Sequence, residues 1–238
     1  MQAIILVGGA GTRLRSVVNE IPKPMADVKG KPFLEYLLLQ LKHWGITDII
    51  LSSGYKSEII KTYFNDGKKQ GINIEYSEET EPLGTGGALK QAEHLIKTDS
   101  FILMNGDSYF NVNIEKILKW KNDYDCFGIL SLFRIQNAER YGSVVLDKDN
   151  RIIEFSEKAK NKDEQYINGG IYLFNKKITD FIPEKKCSLE NDILPELVKL
   201  HKFYGLVFND FFIDIGIPSD YYKINNTTEF PPELTRKC

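Results

Sequence analysis

The sequence predicts an α/β fold: a mostly parallel, mixed sheet between two layers of helices, with a small β-rich lobe. Three observations carry this. Short apolar runs alternate with helix-periodic segments from Ala3 to Lys121. The links between them are short, as in strand–helix–strand units. Beyond Phe127 the pattern changes to brief strand-like runs separated by turn residues such as Asp147-Lys148-Asp149-Asn150.

Ala3–Val7 is a continuous apolar run ending in glycines, as a strand buried on both faces does. Phe33, Leu34, Leu37, Leu38, Leu41 and Trp44 mark one helical face, and Gly45 follows as a stop. Asp48–Leu51 reads as a strand closed by Gly54, Glu58–Phe64 as a helix and Ile72–Tyr76 as a strand. Ala88–Ile96 is helical, Phe101–Met104 is an apolar strand, and Ile114–Lys121 is helical. The second half offers strands at Phe127–Phe133, Gly142–Leu146, Ile152–Phe155 and Gly170–Phe174. A helical pattern returns at Asn191–Leu200, and a final strand pair spans Leu206–Ile215. This order describes a Rossmann-like αβα sandwich with an inserted or appended β-rich lobe. One domain is expected over residues 1–224. Residues 225–238 are polar with paired prolines and read as a loose tail or a cloning remnant.

The 238-residue chain is 42% hydrophobic and 27% charged, ordinary for a globular protein. Its formal net charge of -2 gives no field for nonspecific nucleic-acid binding, so small-molecule or protein partners are expected. No run approaches the roughly 18 apolar residues of a membrane span. Met1-Gln2 lacks the basic start of a signal peptide. A cytoplasmic protein without membrane contact, monomeric or homodimeric, is therefore expected. Cys126, Cys187 and Cys238 are widely spaced and match no metal motif; they read as two buried or neutral thiols and one at the chain end.

In open α/β sheets, ligands bind beyond the carboxyl ends of the strands. Three segments there are polar or glycine-rich: Gly8–Arg13 after the first strand, Gly84–Gly87 before a helix, and Asn105–Asp107 after a later strand. In Gly8-Gly9-Ala10-Gly11-Thr12-Arg13, the missing Cβ atoms allow positive φ, so successive N–H groups can turn toward one anion. Arg13 adds a permanently charged fork that suits phosphate oxygens. The P-loop is excluded because Arg13 stands where its pattern needs Ser or Thr after Lys. Leu14 breaks the dinucleotide pattern G-x-G-x-x-G. A glycine-rich turn without a ligand is the plain alternative. Pro22-Lys23-Pro24-Met25 weighs against it, since the prolines hold Lys23 extended as a stiff mount for a second cation.

Asp107, in Asn105-Gly106-Asp107-Ser108, ends an apolar strand and is either a turn cap or a crevice carboxylate. Asp214 sits in the apolar run Phe212–Ile217, where a lone carboxylate is unfavourable unless paired or metal-bound; an exposed edge strand is the alternative. Mg2+ takes one or two carboxylates plus phosphate oxygens and waters. Two aspartates at strand ends beside a cationic phosphate turn are the parts of a Mg2+-assisted transfer at phosphorus. Lys158 and Asn168-Gly169-Gly170 are further polar elements beside strands. His43, His94 and His201 lie in helix-like stretches without a partner motif, and no Ser/His/Asp or Cys/His arrangement stands out.

Gly8–Leu14 followed by Pro22-Lys23-Pro24-Met25 resembles the signature of the sugar-1-phosphate nucleotidyltransferases. Looser matches follow in order: Pro82–Ala88, Asn105-Gly106-Asp107, Arg140-Tyr141-Gly142, Glu157-Lys158, Asn168–Tyr172 and Asp214–Tyr221. The resemblance covers about residues 1–224. It implies an enzyme that takes a nucleoside triphosphate and a sugar 1-phosphate. Leu6, Gly8, Gly9, Gly11, Thr12 and Arg13 would hold the nucleotide, with Leu83, Gly84, Thr85 and Gly86 along the base. Arg13 and Lys23 would be catalytic, Lys23 stabilising charge at the α-phosphorus. Asp107 and Asp214 would bind Mg2+. Asn105, Gly142, Glu157, Lys158, Asn168 and Gly169 would bind the sugar phosphate, which makes the β-rich lobe a sugar-binding lobe. The sugar phosphate oxygen would attack the α-phosphate in line, and pyrophosphate would leave. That nucleophile is already ionised, so positioning and charge neutralisation suffice.

Within the family, the short length, Asn105–Ser108 and Ile167–Tyr172 look most like the D-glycero-α-D-manno-heptose 1-phosphate guanylyltransferases, which make GDP-heptose for bacterial surface glycans. Ala159 departs from the proline that many relatives carry after Glu-Lys, which leaves the shape of the sugar-phosphate loop open. The sequence also lacks the long C-terminal β-helix of acetylated-sugar relatives. The near alternatives are mannose 1-phosphate with GTP, N-acetylmuramate 1-phosphate with UTP, or a pyrimidine nucleotide with glucose 1-phosphate or phosphocholine. A non-catalytic nucleotide-sensing subunit is the alternative of another class. The joint presence of Arg13, Lys23, Asp107 and Asp214 argues against it, because a sensor could lose any of them.

Overall fold

A computed structural model describes residues 1–9, 11–14, 17–18, 21–136, 142–156 and 165–227. In chain order its main elements begin with β1 (Gln2–Leu6), β2 (Asp27–Val28), β3 (Lys31–Pro32), α1 (Phe33–His43), β4 (Asp48–Ser53), α2 (Ser57–Phe64) and β5 (Asn73–Glu78). Next come α3 (Gly84–Ala92), β6 (Ser100–Asn105), β7 (Ser108–Phe110), α4 (Ile114–Asp123), β8 (Gly128–Ile135), β9 (Ser143–Leu146) and β10 (Ile152–Ser156). The last are β11 (Gln165–Asn175), α5 (Leu194–Lys199), β12 (Phe203–Phe208), β13 (Phe212–Asp214) and α6 (Pro218–Asn226).

The strands β6, β1, β4 and β5 lie side by side and parallel. Antiparallel β11 adds to the free edge of β6, then β8 to β11, and β12 runs parallel to β8. The first residues of β11 also pair with β9, which carries β10. Alternation along β1 sends its side chains to opposite faces. Ala3 and Ile5 join a core with Leu34 and Leu37 of α1, Ile60 of α2 and Ile117 of α4. Ile4 joins a second core with Leu89 of α3 and Leu194 and Leu197 of α5. The sheet is thus covered on both faces, as a parallel sheet of apolar strands must be.

The sequence pattern and the structure part in several places. The helix expected from Ala88 starts at Gly84, so the glycine segment is its first turn. Glycine disfavours helix, but the Cys187 carbonyl accepts from the amides of Gly86 (3.0 Å) and Gly87 (3.3 Å) and caps that turn from a distant segment. The β-rich second half is not all lobe, because β8, β11 and β12 extend the main sheet. The two last strands do not pair with each other: β12 joins β8, and β13 joins β7. Finally, α6 runs to Asn226, past residue 224, and the Asn225 side chain accepts from the Lys29 amide at 3.0 Å. Residues 228–238 lie outside the described ones.

Candidate functional site

The site is built at the carboxyl ends of β1, β4, β5 and β6. A cavity of about 670 Å3 opens there, lined by Leu6, Gly8, Gly9, Gly11, Arg13 and Lys23 on one side and by Glu79, Gly84, Thr85, Asn105 and Asp107 on the other. Three of these four strands run out into glycine: Gly8 after β1, Gly54 after β4 and Gly106 after β6. Gly106 is required by close approach, since a Cβ there would collide with the Leu6 carbonyl.

Asp107 and Asp214 meet through sheet pairing. Antiparallel β7 and β13 place Asp214 opposite Ser108, and the Ile215 amide donates to the Asp107 carbonyl at 2.9 Å. Lys23 comes from the other side. It starts a 3-10 turn over Lys23–Met25 rather than lying extended, with Pro22 extended before it. A proline in the first turn is tolerated because that amide has no partner in the turn. Pro24 and Met25 are buried and fix the turn. The Lys23 ammonium lies 2.6 Å from Asp107 Oδ2 and 3.8 Å from Asp214 Oδ1, and its side chain is only 9% exposed.

Burial, with the nearby Asp107 charge, pushes the Asp214 carboxyl up to about 6, although Lys23, the Gly216 amide and Arg13 pull it down. The Gly216 amide donates to Asp214 Oδ1 at 2.5 Å. Two carboxylates converge on one ammonium, with Gly11 and Gly216 so close that an added Cβ on either would press on Lys23. Gly11 has φ of +58°, and a Cβ there would lie 2.9 Å from Lys23 Cβ. Gly11→Ala is therefore expected to displace Lys23 and to lower activity by at least about tenfold. Steady-state kinetics beside circular dichroism would check that the loss is local.

Of the nucleotide set, Leu6, Gly8, Gly9, Gly11, Arg13, Gly84 and Thr85 line the cavity, and Arg13 is exposed. Ala10 and the side chain of Thr12 lie outside the described residues. Leu83 and Gly86 lie outside its lining. The Leu83 amide donates to Glu79 Oε2 at 2.8 Å, and the Gly86 amide goes to Cys187. The Thr85 hydroxyl donates to Glu190 Oε2 at 2.6 Å and accepts from the Leu189 amide at 2.8 Å.

Of the sugar-phosphate set, Asn105 lines the cavity, while Gly142, Asn168 and Gly169 lie outside its lining. Asn168 Oδ1 accepts from the Gly170 amide at 2.9 Å, and its amide nitrogen donates to the Tyr172 hydroxyl. Gly169 serves packing, because a Cβ there would strike the Phe110 ring. Gly170 (φ +75°) rests against Asn105 and Ser108, so this bulge abuts the site. Glu157, Lys158, Arg140 and Tyr141 lie outside the described residues.

Sequence reasoning missed Glu79, Tyr55 and Glu190, all on the cavity wall. Glu79 sits in Glu78-Glu79-Thr80-Glu81, which reads as a solvated charge run. Only its place after β5 could have flagged it. In the structure Glu79 is half-buried, and burial raises its carboxyl while the Leu83 amide lowers it.

The family described as "Nucleotidyl transferase" matches residues 2–230. A D-glycero-alpha-D-manno-heptose 1-phosphate guanylyltransferase of Campylobacter jejuni is 47% identical over 229 residues, covering 95% of this chain and 100% of the relative. One from Aneurinibacillus thermoaerophilus is 46% identical, covering 94% and 96%. The crystal structure of HddC from Yersinia pseudotuberculosis complexed with GMP-PN is similar with a TM-score of 0.81 and 39% identity, over 94% of this chain and 97% of that one.

Proposed function

The chain belongs to the nucleotidyl transferase family, and on that premise we propose that it transfers GMP from GTP to D-glycero-α-D-manno-heptose 1-phosphate, releasing pyrophosphate and forming GDP-heptose. One observation carries the transfer: the Lys23 ammonium held between Asp107 and Asp214 at the end of the glycine turn. The full-length likeness to heptose 1-phosphate guanylyltransferases supports the choice of substrates.

The donor set suits Mg2+. Asp107 and Asp214 already converge on one cation, and no cluster of three His, Cys, Asp or Glu is found among the described residues. The remaining positions would go to phosphate oxygens and waters, the coordination Mg2+ prefers. When bound, the ion supplies charge neutralisation on the transferring phosphoryl group.

The chain's own groups do the rest. Gly8, Gly9, Gly11 and Arg13, which line the cavity, hold the triphosphate. Lys23 turns its charge to the α-phosphate as negative charge builds there, in a site already arranged to receive it. Asn105 and the adjoining Asn168–Gly170 bulge orient the incoming sugar phosphate. Its oxygen attacks α-phosphorus in line, and pyrophosphate leaves without a general base.

The test is pyrophosphate release across GTP, ATP, UTP and CTP, each paired with heptose, mannose, N-acetylmuramate and glucose 1-phosphates. GTP with the heptose phosphate is expected to give the highest kcat/KM. A faster second pair would replace the substrates, and silence across the panel would favour a nucleotide sensor.

A further inference from the structure

We propose that Tyr221 and Asn225 are positioning residues: from α6 they clasp the β2–β3 hairpin and thereby hold Lys23 against Asp214. This rests on the nucleotidyl-transfer reading, in which Lys23 acts on the α-phosphate. Two chain segments leave the site. One runs from Lys23 through Met25 and Ala26 into the hairpin, and the other runs from Asp214 through Gly216 into α6. They meet again where α6 reaches the hairpin. The Tyr221 hydroxyl donates to the Asp27 carbonyl at 2.7 Å. Asn225 Oδ1 accepts from the Lys29 amide at 3.0 Å, and its Nδ2 lies 3.5 Å from the same Asp27 carbonyl. The Lys29 ammonium donates to the Thr227 carbonyl just past α6. The two segments are thus joined twice, by the ion pair at the site and by the clasp at the far side.

The hairpin needs that support. Its turn, Lys29-Gly30, has φ of +52° and +84°, so both residues are left-handed. Asparagine or aspartate before glycine suits such a turn, and lysine does not. β2 and β3 have only two residues each, and so short a pair is not stable alone. From α1 the Tyr36 hydroxyl donates to the Val28 carbonyl at 2.8 Å, and from α6 comes the clasp. α6 is itself anchored by Ile224, which is fully buried.

A shift of the hairpin reaches Lys23 because the chain between them is stiff. The Met25 amide donates to the Pro22 carbonyl at 2.8 Å, the Ala26 amide donates to the Lys23 carbonyl at 3.0 Å, and Ala26 is fully buried. On the other segment, a Cβ on Gly216 would lie 3.0 Å from Lys23 Nζ. At rest Lys23 is also held by Asp107 and Asp214. As it turns to the α-phosphate those ion pairs give way, and the clasp still joins the segments. Its contribution is therefore largest in the transition state, where a displacement of about 1 Å can cost about 100-fold in rate.

Two substitutions test the clasp together. Tyr221→Phe removes one hydroxyl and keeps the ring, while Asn225→Ala places a better helix former in α6, so neither weakens the helix itself. The double variant is expected to lower kcat by about 10- to 100-fold and to leave the Kd for GTP within about threefold. Tyr221→Phe alone should show the same pattern in smaller measure. In the Lys23→Ala background the two changes should lower kcat by less than about twofold more, because they act through Lys23. An equal loss in both backgrounds overturns the proposal. Amide hydrogen exchange followed by NMR needs no turnover. In the double variant the Met25 and Ala26 amides should exchange at least about tenfold faster, while those of β1 keep the wild-type rate. Unchanged exchange at Met25 and Ala26 also overturns the proposal. If no pair of substrates releases pyrophosphate, yet exchange at those two amides quickens, the clasp stands and the transfer reading falls.

Discussion

Lys23→Ala is expected to lower kcat by about 100- to 1,000-fold, the range for losing one preorganised charge donor at a transition state. The Kd for GTP should rise by less than about tenfold, because the glycine turn and Arg13 still hold the triphosphate. The difference follows from where Lys23 sits. Its ammonium is mounted on a buried turn and is nearly enclosed, so it is already in place when charge grows on the α-phosphate. The same substitution leaves Asp107 and Asp214 facing each other without their ammonium. Mn2+ should then bind the nucleotide-free variant more tightly than the wild type, as titration by electron paramagnetic resonance would read. Unchanged kcat in the variant would remove Lys23 from the chemistry.

Asp214→Asn is expected to raise the metal requirement and strengthen the fold. The native carboxyl ionises near 6 rather than 3.8 because burial and Asp107 oppose its charge. A native value above the unfolded one means that ionisation opposes folding. The penalty is absent below the ordinary value, grows between the two, and is complete above about 6. It amounts to at most about 3 kcal/mol at neutral pH. The asparagine variant should therefore melt above the wild type at pH 7.5 in metal-free buffer, with the gap closing near pH 4. Its half-saturating Mg2+ concentration should rise by at least about tenfold, since even outer-shell partners matter on that scale. An equal melting temperature and an unchanged metal titration would return Asp214 to a structural role.

Much of this was legible in the sequence because the signals are local. The apolar run of β1, its glycine turn, the proline-flanked Lys23 and the two aspartates in apolar surroundings each stand out in a short window. What was not legible depends on distant partners. α3 begins at Gly84 only because Cys187 caps it, and β7 is a three-residue strand that exists through β13. Glu79 was hidden among Glu78, Thr80 and Glu81, where charge alone says solvent. Its place on the cavity wall emerges only when Gly8 and Leu83 close around it. The sugar side was the least legible. Asn168 and Gly169 carry the motif, but that they form a bulge beside the site, packed on Phe110, depends on distant chain.

The central claim is that Lys23, Asp107 and Asp214 form the centre of a transfer at α-phosphorus. Its most direct test is isotopic. Heptose 1-phosphate carrying a heavy-oxygen label in its phosphate is incubated with GTP, Mg2+ and enzyme, and both products are weighed by mass spectrometry. All label is expected in GDP-heptose and none in pyrophosphate, with one pyrophosphate formed per sugar nucleotide. Label in the pyrophosphate, or pyrophosphate formed equally without the sugar phosphate, would contradict it.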